Sequence, residues 1–230
     1  MSTPAPLAAT AIPSPPPTIH YIPSFITPAE ESSLQSSILS QPKPKWTILS
    51  HRRLQTHPSA LSSSNVLLSA ALPAFLESLV PRMQALGVWD HAPHKRPNHV
   101  LVNEYTPGEG IMPHEDGAAY HPVVATVSLG APIVLDIYEK GEGGRTPKFR
   151  ILQEPRSLLV TTGEVYASHL HGIEARTSDE DLGPETVANW ALLGEPQAFT
   201  EGRYERQTRT SLTYRDVLKV ADVGRLFGRK

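Results

Sequence analysis

The chain has no cysteine among its 230 residues. A disulfide framework and a thiolate metal site are both excluded, so any metal must be held by imidazole and carboxylate. No apolar run approaches the roughly 18 residues of a membrane span, and the N-terminus lacks a basic patch followed by an apolar stretch. Neither an anchor nor a secretion signal is expected, which predicts an intracellular protein of cytoplasm or nucleus with no membrane partner. An excess of one charge sign is also missing, with 21 Lys+Arg against 23 Asp+Glu. Global charge therefore neither demands nor forbids a polyanionic partner, and local charge has to decide. The length suits one domain, expected as a monomer.

Proline is abundant, at 23 residues. Six lie in "MSTPAPLAATAIPSPPP", residues 1–17, which carry no charged side chain. This predicts a flexible lead-in outside the fold. Residues 18–97 read as a helical, lid-bearing part. Its first helix enters at "TPAEE", where Thr27 can cap and Pro28 can occupy the first turn. A second helix is expected within 68–86, with Leu72, Phe75, Leu76 and Leu79 on one face and Pro81 kinking or ending its first part. "KPKWTILSHRRLQ" between them reads as a strand or ordered loop with a basic skirt.

After residue 98 the pattern changes to short strand-like runs separated by Gly, Pro or acidic turns. These are "HVLVNEY", "VVATVSLG", "PIVLDIY", "FRILQE", "SLLVTTG", "YASHLHGI", "NWALLGE" and "RTSLTYRDV". So many short strands predict a mainly β fold with flanking helices, its core a double-stranded β-helix (jelly roll) over 98–220. Acidic "IEARTSDEDLGPE", 173–185, reads as an exposed loop, and 221–230 as a basic C-terminal tail.

"MPHEDG", residues 112–117, raises the question of a metal. His114 and Asp116 are two apart, so on an extended segment their side chains leave one face while Glu115 points elsewhere. Two histidines and one carboxylate on one face suit non-haem Fe(II), which activates oxygen with a co-substrate. The remaining histidine must come from another strand, with His121, His169 and His171 as candidates. The pair alone is a weak signal. Ten histidines and seven aspartates scattered over the chain would give about 0.3 such pairs by chance, and a turn carboxylate bonded to a surface histidine is the ordinary alternative.

A larger ordered set of motifs is far more specific. "PKPKWT", "NHVLVNEYTPGEGIMPHEDG", "VSLG", "EPRSLLV", "LHGI" and "RTSLTYR" occur in sequence. Over roughly residues 20–220 the chain resembles the AlkB family of Fe(II)- and 2-oxoglutarate-dependent dioxygenases, in detail the branch of its sixth homologue. The resemblance implies Fe(II), 2-oxoglutarate and O2, and makes His114, Asp116 and His171 the catalytic iron ligands. His169 and His121 are then surface or supporting histidines. Arg209 is implied to take the distal carboxylate of 2-oxoglutarate, for which a planar bidentate donor is the best match. Arg215, on the same strand face, is implied to act near the metal-proximal carboxylate and Asp116. Asn103 and Tyr105 share a face by the period of two, and with Ser211 they are implied to bind the co-substrate. Ser211 replaces an Asn of the founding member, as in the sixth homologue.

The family hydroxylates N-methyl groups on nucleobases, so the resemblance implies RNA or single-stranded DNA as partner. Lys43, Lys45, Trp46, Arg52 and Arg53 form a basic segment with no acid, the candidate substrate contacts, with Trp46 able to stack a base or to fill a core. Residues 200–230 add eight Lys/Arg against four Asp/Glu. Two further departures from the founding member bear on the substrate: Ala118 stands two after the metal aspartate, where that protein has a second aspartate near the base, and the base-recognition lid between the first helices and the barrel is short. Two other classes fit the same text. One is a non-catalytic nucleic-acid-binding or docking module that keeps the cofactor site for stability, the other an oxygenase of a protein or small metabolite.

Overall fold

The computed structural model describes residues 7–13, 18–141 and 146–222. In chain order the strands are β1 (Ile19–Ile22), β2 (Thr47–Leu49), β3 (Arg52–His57), β4 (Val66–Leu68), β5 (His99–Tyr105), β6 (Ile111–His114), β7 (Tyr120–Leu129) and β8 (Ile133–Glu139). They continue with β9 (Phe149–Gln153), β10 (Leu158–Thr162), β11 (His169–Ile173), β12 (Ser178–Glu180), β13 (Arg203–Glu205), β14 (Arg209–Val217) and β15 (Lys219–Ala221). The helices are α1 (Pro28–Leu39), α2 (Ala74–Glu77), α3 (Val80–Ala85) and α4 (Gly163–Ser168). A seven-stranded sheet runs β1-β10-β7-β14-β5-β3-β2, and a four-stranded sheet runs β6-β11-β8-β9. Side chains from both sheets line one cavity, the double-stranded β-helix arrangement that the strand spacing predicts.

Strand β14 shows how the sequence divides the interior. Successive side chains leave opposite faces of a strand. Leu212 and Tyr214, both fully buried, join the larger core, where Leu76, Leu79, Met83 and Trp89 from the helical part pack on the big sheet. The Tyr214 hydroxyl donates to the Leu76 carbonyl at 2.9 Å, tying helix to sheet. Arg209, Ser211, Thr213 and Arg215 point the other way, into the cavity. Helix α1 begins as read: Thr27 and Glu30 form a reciprocal capping box, with Pro28 in the first turn.

Several expectations need correction. The 68–86 stretch is two short helices, and Pro81 sits in the first turn of α3 instead of ending a helix. Ring geometry explains this, because proline's missing N–H is harmless at a helix start. Part of the expected flexible lead-in is packed. Ile12 is 1% exposed, and its N–H donates to the Ile19 carbonyl at 2.9 Å, because β1 leaves an edge that an apolar residue can cover; residues 1–6 and 14–17 lie outside the described residues. The expected basic tail begins inside a strand, since Lys219–Ala221 pairs parallel to β4; 223–230 lie outside the described residues. "NWALLGE" is no strand but a 3-10 turn at Trp190–Leu192. There the Asn189 amide accepts from the Leu152 N–H at 2.9 Å and donates to the Leu152 carbonyl at 2.8 Å, so one side chain replaces a strand partner of β9.

The acidic stretch 173–185 is likewise no simple exposed loop. Its residues Ser178–Glu180 pair with β13. Asp179 is 1% exposed and receives two hydrogen bonds from Arg206, at 2.9 and 2.7 Å. Arg206 also donates to the Glu174 carbonyl at 2.7 Å. Removing one member of such a buried pair strands the other charge. Asp179→Ala is expected to lower the free energy of unfolding by about 3–5 kcal/mol, measured by urea titration. A loss under about 1 kcal/mol, the worth of a surface pair, would mean that this segment opens to water.

Candidate active site

Strand β6 ends at His114 and lies antiparallel to β11, with His114 directly opposite His171. The close approach depends on Gly172. A Cβ there would meet the Ile111 carbonyl oxygen and the Pro113 nitrogen at 3.0 Å, so a larger residue would push the strands apart. The two imidazoles lie with ring centroids 4.4 Å apart and planes at 51°. Asp116 follows β6 in the turn that closes "HEDG". Ligand atoms of His114, Asp116 and His171 all fall within 4.8 Å of one another, a set that could hold a metal ion.

Each member is oriented by a neighbour. His114 Nδ1 lies 2.9 Å from the Met112 carbonyl oxygen. A carbonyl only accepts, so Nδ1 carries the proton and Nε2 keeps its lone pair for a metal. Asp116 forms an ion pair with Arg215, and both side chains are buried. The Tyr166 hydroxyl donates to the Gly117 carbonyl at 3.0 Å, pinning the turn just after Asp116. Burial, and secondarily the Asp116 charge, pushes that phenol up to about 12, so it stays a donor. His171 is held down to about 4, chiefly by burial; Asp116 opposes the shift, while His114 and Arg215 add to it. A neutral imidazole is the form that binds a metal.

The three groups open onto a cavity of about 290 Å³ between the sheets. Its floor carries Asn103 and Tyr105 from β5 and Arg209, Ser211, Thr213 and Arg215 from β14. Arg209 stands opposite Tyr105, and Ser211 opposite Asn103. The Arg209 guanidinium is 2% exposed, donates to Ser128 Oγ at 2.8 Å and Gln153 Oε1 at 3.2 Å, and leaves Nε without a partner. Burial lowers it to about 10. Among the described residues no carboxylate pairs with it. A buried cation held only by neutral groups is costly, and a dicarboxylate entering the cavity would supply what is missing. The donor set and the orphaned guanidinium together fit iron and 2-oxoglutarate.

Of the candidate histidines, His171 joins the metal set and His121 does not line the cavity. His169, read from the sequence as a surface or supporting histidine, is not at the surface. It is 6% exposed and lines the cavity two residues from His171, with both ring nitrogens unpartnered. Of the five candidate substrate residues, Arg52 alone lines the cavity. The Arg53 guanidinium lies 4.2 Å above the Trp46 ring and pairs with Glu104 at 2.6 Å. Trp46 packs against the larger core, so its face is covered instead of free for a base. Lys45 donates to the Pro58 carbonyl at 3.1 Å, and Lys43 is exposed. Tyr120, Gln153 and Tyr166 escaped the sequence reading; strand alternation could have signalled the first two, whereas Tyr166 sits on the short helix α4, where no strand period applies.

A family profile described as "2OG-Fe(II) oxygenase superfamily" matches residues 18–215. The chain is 41% identical over 224 residues to a zebrafish (Danio rerio) protein named "Probable RNA/DNA demethylase ALKBH6", covering 94% of this chain and 92% of that one. It is 29% identical over 213 residues to the Xenopus tropicalis "tRNA (carboxymethyluridine(34)-5-O)-methyltransferase alkbh8". That match covers 89% of this chain but only 32% of the relative. A solved 2OG-Fe(II) oxygenase-family oxidoreductase from Burkholderia pseudomallei superposes with a TM-score of 0.55 at 12% identity, over 89% of each chain, a likeness of fold.

Burial gives the fold a pH signature to which the site contributes His171. His57, His99 and His171 are each held down to about 4, chiefly by burial. The unfolded chain takes up protons on these rings near pH 6.5, and the folded state does so only near 4. Stability of the metal-free protein is therefore expected to fall as pH drops from about 6.5 towards 4. Urea titrations across that window should show a shallower fall for His171→Gln than for the parent, and equal slopes would mean that His171 is open to water.

Proposed function

The chain belongs to the AlkB branch of the 2OG-Fe(II) oxygenase superfamily, and on that premise we propose that it oxidises a methylated base in RNA or single-stranded DNA. It is an Fe(II)- and 2-oxoglutarate-dependent dioxygenase. The nucleic-acid substrate is carried over from the relative named as a probable RNA/DNA demethylase. The observation that carries the site is a conjunction: a His/Asp/His set within 4.8 Å and a buried guanidinium that no carboxylate pairs among the described residues share one cavity. Residues 18–220 are proposed to act as one dioxygenase unit, a reading supported by the profile match over 18–215. A nucleic-acid substrate puts its workplace in cytoplasm or nucleus.

His114, Asp116 and His171 are proposed to hold the iron, and Arg209 the distal carboxylate of 2-oxoglutarate. Asn103, Tyr105 and Ser211 then offer hydrogen bonds to the other co-substrate oxygens. Bound together, iron and 2-oxoglutarate supply the oxidation of a C–H bond by dioxygen, with release of succinate and carbon dioxide. The protein's own contribution is placement. Arg215 fixes the Asp116 carboxylate through a buried ion pair. The Met112 carbonyl fixes the His114 tautomer. Leu135, Ile137, Leu159 and Val165 give the cavity apolar walls that limit water around the reacting groups.

The test is incubation with Fe(II), 2-oxoglutarate and a panel of methylated RNA and DNA strands. Succinate release coupled to mass loss of a methyl group from at least one strand is expected. Coupled turnover on another substrate, with no strand stimulating it, would remove the nucleic-acid part. Arg209→Gln is expected to raise the KM for 2-oxoglutarate roughly 10–100-fold, the worth of a charge-assisted hydrogen-bond pair. His171→Ala should abolish succinate release. An unchanged KM in Arg209→Gln would mean that another group holds the co-substrate.

A further inference from the structure

Resting on the nucleic-acid reading above, we propose that Arg52 grips a phosphate of the strand whose base enters the cavity. The basic segment 43–53 looks uniform as text, but the fold separates its cations. Strand β3 pairs with β5 so that Arg53 stands opposite Glu104 and Leu54 opposite Asn103. Side chains alternate along the strand, so Arg53 meets Glu104 on the outer face. Arg52 and Leu54 turn inward, beside Asn103 and Tyr105. Arg53 is thus neutralised and stacked on Trp46. Lys45 is spent on a backbone carbonyl. Arg52 is only partly exposed, its Nε is buried with no hydrogen-bond partner, and no acid pairs with it among the described residues.

The other charges of the cavity are already matched. Arg215 is paired with Asp116, and Glu115 with Lys140. On the reading above, a co-substrate carboxylate answers Arg209. Arg52 is left as a cation at the cavity wall without a counter-ion, on the strand next to the sheet edge. On the edge strand its register partner is Leu49, 40% exposed and on the same face, whereas Ile48 pairs with Arg53 on the outer face. A guanidinium next to bare apolar surface matches a nucleotide, with phosphate on the fork and the apolar sugar or base face on the ledge. A phosphate is favoured over a base edge because the reacting base must pass inward to the metal set while its backbone stays at the rim.

The experiment is equilibrium binding of a fluorescent single-stranded oligonucleotide to the full chain at a series of salt concentrations. One phosphate contact contributes a slope of roughly 0.7 in log affinity against log salt for a single strand. Arg52→Gln is expected to reduce the slope by about that amount, to weaken binding roughly tenfold or more, and to do so equally for strands of different sequence. Arg52→Lys keeps one charge and should keep the slope. Melting temperature checks that both variants fold, and should Arg52→Gln fail, Arg52→Ser takes its place.

Three results would overturn the assignment while leaving the nucleic-acid reading intact. They are a variant slope equal to the parent's, a loss confined to strands bearing a methylated base, and a weakening of 2-oxoglutarate binding larger than that of the strand. Salt-insensitive or absent binding by the parent chain would remove the nucleic-acid reading itself, and this inference with it.

Discussion

The register between β6 and β11 is the constraint on which the rest of the molecule depends. It sets His171 opposite His114, and with Asp116 two residues on it brings three ligand atoms within 4.8 Å. Because side chains alternate along a strand, a slip of one residue would present Leu170 or Gly172 in place of the imidazole and leave the carboxylate with a single histidine. Gly172 secures the fit, since its lack of a side chain lets the β6 backbone approach at the step beside His171. The local turn supplies two ligands cheaply in sequence, but only this long-range pairing makes them a site.

The second half of the account is electrostatic. Strand β14 places apolar Leu212 and Tyr214 in the core and sends polar Arg209, Ser211, Thr213 and Arg215 into the cavity. Of its two buried arginines, Arg215 has an anion in Asp116, whereas Arg209, among the described residues, donates to a hydroxyl and an amide and meets no carboxylate. Such an arrangement is unfavourable in isolation and becomes favourable when a dicarboxylate binds. On the proposed reading, this unmet charge is the one that the co-substrate carboxylate answers. The same logic, at the other wall, singles out Arg52.

What could be read from the sequence follows from the range of the signal. "HVLVNEY" and "RTSLTYRDV" carry their own alternation and correspond to β5 and β14 residue for residue. The capping box of α1 is a four-residue event and was equally legible. Failures came where a distant partner decided the outcome. "NWALL" has strand-like composition, yet Asn189 meets β9 through its side chain and the backbone turns. Acidic 173–185 looks solvated until Arg206, far along the chain, buries itself against Asp179. Adjacent Arg52 and Arg53 are indistinguishable as letters; alternation sends them to opposite faces, and pairing with β5 decides which one turns inward. Motif order carried the family resemblance further than any single spacing could, because an H-x-D pair by itself is common.

The central claim is that one ion site, closed by the β6–β11 register, shares its cavity with the Arg209 guanidinium. Anaerobic titration with Co(II), followed by its d–d absorption, tests this directly, since that spectrum reports the donor set around the ion. The account predicts one Co(II) per chain, lost in His171→Ala, and a spectrum that changes on adding 2-oxoglutarate in the parent but requires far more of it in Arg209→Gln. Tight Co(II) binding that survives His171→Ala, or a 2-oxoglutarate response indifferent to Arg209, would contradict it.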